Sequence, residues 1–201
     1  MRQRRKGFSL MELMIVVAII LLIGAISAPN IVETIRRYQM EASAREVHNM
    51  LLRARYDAIR FNRNITTLYE APAAADAPAR YGLDFNNNGV LDVNEPRAQL
   101  SVRITLIAAA PAGVNVSLMQ VVDPAASPVV NTGYWTPQMP APPAYSITVT
   151  PRGTPLMTVP GSTHYLFLMQ NQVYKSNVRA LTMTSQGKVR SWRWDGDSWV
   201  Q

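Results

Sequence analysis

Lys6-Gly7-Phe8-Ser9-Leu10-Met11-Glu12 opens a long apolar run that continues through Ile15-Val16-Val17-Ala18-Ile19-Ile20 to Ala28, Pro29 and Asn30. Between Glu12 and Glu33 no side chain is charged. As a helix of about 20 residues the run spans ~30 Å, the thickness of a bilayer's hydrocarbon core. Arg4-Arg5-Lys6 in front of it keeps its N-terminal end on the cytoplasmic side and sends the rest of the chain outward. Three readings compete for this run: a secretory signal peptide removed near Ala28, a plain N-terminal anchor, or a short basic leader cut at the border of the run. Glu12 separates them. A carboxylate inside an apolar span costs about 2.5–3.5 kcal/mol on insertion scales, and neither a signal peptide nor a simple anchor has a use for it. Cleavage between Gly7 and Phe8 creates a partner, because the new ammonium group of Phe8 lies at the membrane depth of Glu12 in a neighbouring copy. A signal peptide would also place Pro29 immediately after the cut, which suits that reading poorly.

The composition agrees with one anchor and one folded domain. The chain has 201 residues, 48% of them hydrophobic and 16% charged, which excludes wholesale disorder. A mean hydropathy near zero excludes a polytopic membrane protein. Of the net charge of +7, four units come from Arg2, Arg4, Arg5 and Lys6, so +3 remains once that segment is removed. The basic balance is therefore first a targeting signature and only second a hint of an acidic partner. With no cysteine, disulfides, thiol catalysis and thiolate metal sites are all excluded.

The segment Lys6 to Glu12 resembles the class III leader of type IV prepilins and type II secretion pseudopilins. Counting Phe8 as the first mature residue, the family's glutamate falls on Glu12 and its helix-bending proline on Pro29. The resemblance implies cleavage after Gly7 and N-methylation of Phe8 by a prepilin peptidase. It also implies extraction of the helix from the membrane into a helical filament. Further along, Leu51-Leu52-Arg53-Ala54-Arg55-Tyr56-Asp57-Ala58-Ile59-Arg60-Phe61-Asn62-Arg63-Asn64-Ile65 is similar to the end of the long helix in GspH/FimT-type minor pilins and pseudopilins.

After Asn30 the pattern stays helical to about Phe61, free of Gly and Pro. At 100° per residue Met40, Ala44, Val47, Leu51, Ala54, Ala58 and Phe61 share one face and Arg45, Arg53, Arg60 and Arg63 lie roughly opposite. The arginine row reads either as a solvated helix face or as a filament interface. From Ile65 onward short runs rich in branched and aromatic residues predict strands at 65–69, 102–107, 114–122, 145–150, 165–169, 173–175, 178–184 and 188–194. The runs lie too close together for crossover helices, so the strands should be antiparallel. Segments 71–79 and 124–144, rich in Pro and Ala, read as loops or edge excursions and not as central strands. The expected architecture is α+β and type IV pilin-like. It divides into a leader at 1–7, a membrane or filament-core half-helix at 8–29, an amphipathic half-helix at 30–64 and a β domain at 65–201.

Two segments carry candidate binding chemistry. In Asp84–Glu95, Asp84, Asn86, Asn88, Val90, Asp92 and Glu95 occupy the ligand positions of a twelve-residue calcium loop, and Gly89 takes its sharp turn. No flanking helix pair is evident, and an Asn-Gly hairpin turn with a polar tip explains the same residues. At the C-terminal end, a period of two places Lys188, Arg190, Trp192 and Trp194 on one strand face, with Arg193 beside them. Such a face can grip phosphates and stack on bases. The alternative is that the tryptophans pack on the core. Gly187-Lys188-Val189-Arg190 resembles the Gly-Arg-x-Arg element of DNA-binding FimT-type pilins, with Lys188 in place of the first arginine. His48 and His164 have no nucleophile at readable spacing, and no phosphate loop or His-based metal motif occurs.

The sequence thus predicts a non-enzymatic filament subunit. Its precursor is a single-pass inner-membrane protein with a periplasmic C-terminal domain. Its partners would be other pilins, the prepilin peptidase, the inner membrane and an assembly platform. Calcium is the one candidate cofactor and DNA an alternative partner. DNA uptake and a secreted monomer with an ordinary signal peptide are the competing functions.

Overall fold

In a computed structural model the described residues are 9–116, 119, 136–138, 140, 145–160 and 162–201. They contain one long helix and two β-sheets, and the chain divides after Tyr38 into two units. The helix α1 spans Leu10–Phe61. It is read as helix through Pro29, although proline brings no N–H to the helical ladder.

In the first unit α1 is long and apolar enough to cross a membrane. Its apolar side chains are exposed all round, from Leu10 at 76% to Ile26 at 65%. A helix apolar on every side requires a lipid or protein environment. The exposed apolar stripe continues through Ile31, Val32 and Ile35.

In the second unit the remaining turns of α1 bury Met40, Ala44, Val47, Leu51, Ala54 and Ala58. These follow the helical period, and the three alanines let the backbone come close to the strands. Phe61, expected on this face, is 48% exposed instead. The helix stops there because Asn62 adopts φ 48°. The N–H of Arg63 bonds the carbonyl of Ala58 at 3.2 Å and that of Asn62 the carbonyl of Ile59 at 3.3 Å. This is a Schellman ending with asparagine in the left-handed position.

The first sheet has the order β3-β2-β1-β6 and is antiparallel throughout: β1 Ile65–Glu70, β2 Arg80–Asp84, β3 Arg97–Gln99 and β6 Ile147–Val149. The second has the order β10-β9-β8-β7-β4: β4 Ile104–Ile107, β7 Ser162–Asn171, β8 Val178–Thr184, β9 Val189–Trp194 and β10 Trp199–Val200. The short β5, Thr136–Gln138, pairs parallel to β7.

Both sheets and the helix share one core. Ile65, Tyr81, Leu83, Ile147, Tyr165, Phe167, Met169 and Leu181 pack with the buried helix residues. Along β7 the alternate residues Leu166 and Leu168 point the other way, into a second cluster with Trp192 and Trp199 that Val114 and Val116 help to cover. The continuous apolar run Tyr165–Met169 follows from this, since the strand is buried on both faces. Inside the core the Tyr81 hydroxyl donates to Thr67 Oγ1 at 2.8 Å, and burial pushes its acidity far down. The Tyr69 phenol is likewise pushed up, to about 12, by desolvation.

Several predicted strands are corrected. Val173–Lys175 is the turn between β7 and β8, because Asn171 Oδ1 accepts the N–H groups of Val173 at 2.9 Å and Tyr174 at 3.1 Å. Within 114–122, the described residues 114–116 and 119 are not strand, and the others lie outside the described residues, as does most of loop 124–144. Strands β2, β3, β5 and β10 were not foreseen.

Candidate functional sites

At the N-terminus, Gly7 and Phe8 lie outside the described residues. Glu12 stands exposed in the first turn of α1, where the unpaired N–H groups favour a carboxylate. Ser9, immediately before the helix, and Glu12 have the spacing of a capping box, S-x-x-E. Sequence reading assigned Glu12 only an intermolecular partner, and the helix start supplies a second, local use for the same side chain. For Pro29 the structure describes the helical backbone alone.

The loop 84–95 closes on itself. Asp84 is buried, and its two oxygens accept the N–H groups of Asn88 at 3.2 Å and Gly89 at 2.8 Å. Glu95 Oε1 accepts from Phe85 N at 2.6 Å and Oε2 from Asp92 N at 2.9 Å. Asp92 Oδ2 receives the side-chain amides of Asn86 at 2.8 Å and Asn88 at 3.1 Å. The oxygens of Asn86 and Asn88 accept the backbone N–H groups of Asn88 and Val90. Val90 is exposed. The side chains of Asp84, Asn86, Asn88, Asp92 and Glu95 share one hydrogen-bonded loop that Val90 joins through its N–H, and every carboxylate among them is already hydrogen-bonded. Among the described residues no three acidic or histidine side chains form a metal-holding group.

Of the two readings of the C-terminal face, the structure has the one with the tryptophans packed on the core. Trp192 is fully buried and its indole N–H donates to Thr182 Oγ1 at 3.0 Å, so no base can reach it. Trp194 packs against Trp199, ring centroids 5.2 Å apart. Alternation along β9 puts the exposed Arg193 on the opposite face, while Lys188 is exposed in the preceding turn and Arg190 is half-buried. Gly187 has a structural role of its own. It sits at φ 80°, and a Cβ there would lie 2.2 Å from the carbonyl oxygen of Gly153. Its carbonyl accepts Arg55 Nη1 at 3.1 Å, tying the β8–β9 turn to the helix.

One further cluster carried no signal in one dimension. Glu41 divides its carboxylate between Arg45 at 2.7 Å and Arg179 at 2.9 Å, and the hydrogen bond from Arg45, followed by the charge of Arg179, holds its carboxyl below the usual range. These residues, with His48, Asn49, Ser191 and Gln201, line a cleft of about 300 Å³. Burial lowers the basicity of His48. His164 is buried within β7.

Residues 2–28 match the family described as the prokaryotic N-terminal methylation motif. The match spans the basic border, Glu12 and the apolar run. A search of curated proteins gave no match. Among solved structures, the chain is similar to the type IV minor pilin FimU of Pseudomonas aeruginosa strain PAO1, at 14% identity and a TM-score of 0.47, covering 83% of this chain and 96% of that one. It is also similar to the minor pseudopilin EpsH of the Vibrio cholerae Type 2 Secretion System, at 12% identity and a TM-score of 0.41, covering 76% and 95%. At these identities the N-terminal residues, and not the neighbours, carry the functional reading.

Proposed function

We propose that the chain is a minor pilin or pseudopilin subunit. Its precursor is anchored in the inner membrane with residues 39–201 in the periplasm. A prepilin peptidase removes residues 1–7 and methylates Phe8, and an assembly platform moves the subunit into a type IV pilus or type II secretion pseudopilus. Its role is structural, not enzymatic. The observation that carries this reading is the methylation motif over 2–28 with a carboxylate, Glu12, inside an otherwise uncharged run. Glu12 pairs with the Phe8 ammonium of a neighbour and Met11 to Ala28 form the filament core. The mass of the mature protein tests it: a chain starting at N-methylated Phe8 is expected, and a chain starting after Ala28 makes it a secreted monomer instead.

For loop 84–95 we propose weak calcium binding by Asp84, Asn86, Asn88, Asp92, Glu95 and the Val90 carbonyl. The six-position spacing supports it. The cation would replace the two side-chain amides that now face Asp92 Oδ2, with both amides turned to present oxygen. A rise in melting temperature at millimolar calcium is expected, and an unchanged one leaves the loop a self-sufficient turn.

A further inference from the structure

Arg45, Arg179 and Arg193 gather around the single side-chain carboxylate of Glu41. Glu41, Arg45, His48 and Asn49 recur at helical spacing, so they share one face of α1. Across from them stand Arg179 on β8 and Ser191 on β9, and with Gln201 these residues line the cleft of about 300 Å³. Strand register adds the third arginine: Arg193 lies directly opposite Arg179, and alternation sets it on the same sheet face as Ser191. Like charges directly opposite across two strands repel. Glu41 answers for only part of this charge, accepting Nη2 of Arg45 at 2.7 Å and Nη2 of Arg179 at 2.9 Å. Among the described residues Arg193 has no carboxylate within ion-pair distance. The arginines outnumber the anions even with a terminal carboxylate counted at Gln201.

The cleft is also rich in hydrogen-bond donors. The Arg179 side chain is only 14% exposed, and its Nε–H is buried with no hydrogen-bond partner among the described residues. A buried donor of a charged group ordinarily has a partner, because leaving it unmade is costly. Asn49 adds an amide and Ser191 a hydroxyl, and His48, whose basicity burial lowers, offers one N–H as the neutral ring. The carboxylate of Glu41 is already held at both oxygens by arginine. Donors that come from two walls, helix and sheet, require a ligand whose acceptor oxygens leave a single plane. A carboxylate is planar, whereas a phosphoryl group is tetrahedral and takes guanidinium forks from more than one side.

We propose that this cleft binds a phosphoryl group, carried by a soluble phosphate ester or by a lipid headgroup. Arg179 and Arg45 are its principal contacts, Arg193 stands at the rim, and Ser191 and Asn49 supply further donors. The bound group draws the Arg179 guanidinium toward it and gives the Nε–H an acceptor. The site lies within the unit 39–201 and requires neither trimming at Phe8 nor assembly, so it stands or falls apart from the filament reading.

Equilibrium dialysis of the full-length chain in non-ionic detergent against radiolabelled orthophosphate, with chloride holding the ionic strength constant, tests the site. Saturable retention is expected, displaced by unlabelled orthophosphate and not by acetate at equal concentration. Arg179→Lys keeps a cation for Glu41 but loses the fork, and is expected to weaken retention about tenfold. The exposed Arg193→Gln is expected to weaken it as well while melting with the wild type in chloride, so it carries the test if Arg179→Lys does not fold. Glycerol 3-phosphate and micelles doped with phosphatidic acid separate the two sources. Displacement at lower phosphoryl concentration by the lipid assigns a headgroup, the reverse order assigns a soluble ester, and either supports the phosphoryl site. No saturable retention overturns the proposal. Retention unchanged in both folded variants overturns it by placing the anion elsewhere, and displacement by acetate as effective as by orthophosphate overturns it in favour of a carboxylate ligand.

Discussion

Gly187 accepts a hydrogen bond from Arg55 Nη1 through its carbonyl while its missing Cβ leaves room for the backbone of Gly153. Helix, first sheet and second sheet are thereby locked at one point. Gly187→Ala is expected to destabilise the domain by at least about 2 kcal/mol, since a methyl group there strikes backbone and the φ of 80° is left-handed. Gly196→Ala, also at positive φ but in open space, should cost about 1 kcal/mol. Urea midpoints of the two variants check the difference.

One substitution can separate the place of Glu12 in the first helical turn from the intermolecular pairing proposed for it. Gln keeps the spacing of a capping box and removes the charge, whereas Ala removes both. Both variants are expected to be trimmed at Phe8 and to be incorporated at least tenfold less than wild type, because the Phe8 ammonium of the neighbour loses its counter-charge. Normal incorporation of Glu12→Gln would show that helix capping, and not an ion pair, is what the position requires.

How much of this could be read in one dimension depends on where each signal was written. The membrane run, the helix end near Phe61 and strands such as Val178–Thr184 were legible because charge, period and β-branching are local. Strand β2 was not, since Arg80-Tyr81-Gly82-Leu83-Asp84 holds a glycine and two charges and gains its place by pairing on both sides with β1 and β3. Val173–Lys175 failed in the opposite sense: its β-branched start was overruled by the side chain of Asn171. The tryptophans of β9 were legible as a pair, but which way they faced depended on the cover supplied by Val114 and Val116, far away in sequence. Phe61 is the last helical residue, next to the left-handed Asn62, and it meets Phe85 edge-on instead of entering the core.

Trp192 is expected to matter for stability and not for ligand binding. Trp192→Phe keeps most of the apolar contact but leaves the buried Thr182 hydroxyl without its donor. A loss of about 2–3 kcal/mol in urea unfolding is expected, from the unpaired hydroxyl together with the smaller ring.

Glu41 links stability to pH. Its folded carboxyl titrates below the ordinary 4.5, so its contribution is fully present above that value and is lost as pH falls through the lower, folded one. His48, whose basicity burial lowers, works in the same direction from higher pH, because protonation below its ordinary 6.5 favours the unfolded chain. Glu41→Gln should therefore flatten the melting-temperature profile only below about pH 4.5 and leave the decline that sets in below about pH 6.5 in place. With its side chain 40% exposed, the loss at neutral pH is expected to stay near 0.5–1 kcal/mol.

Asp84 and Asp92 hold the same loop by different means, and that difference separates a turn from a cation site. Asp84 is buried with both oxygens on backbone N–H groups, so Asp84→Asn sets an amide donor against an N–H and should cost about 1–3 kcal/mol in the absence of calcium. Asp92 is half-buried and bonded mainly to two side-chain amides, so Asp92→Asn should cost under about 1 kcal/mol in the absence of calcium. If calcium occupies the loop, the wild type gains melting temperature at millimolar calcium and Asp92→Asn does not, because the variant removes a ligand charge while leaving the backbone turn intact. Equal melting of wild type and Asp92→Asn across a calcium series would mean that the hydrogen bonds of Asp84 and Glu95 are all that shapes this loop.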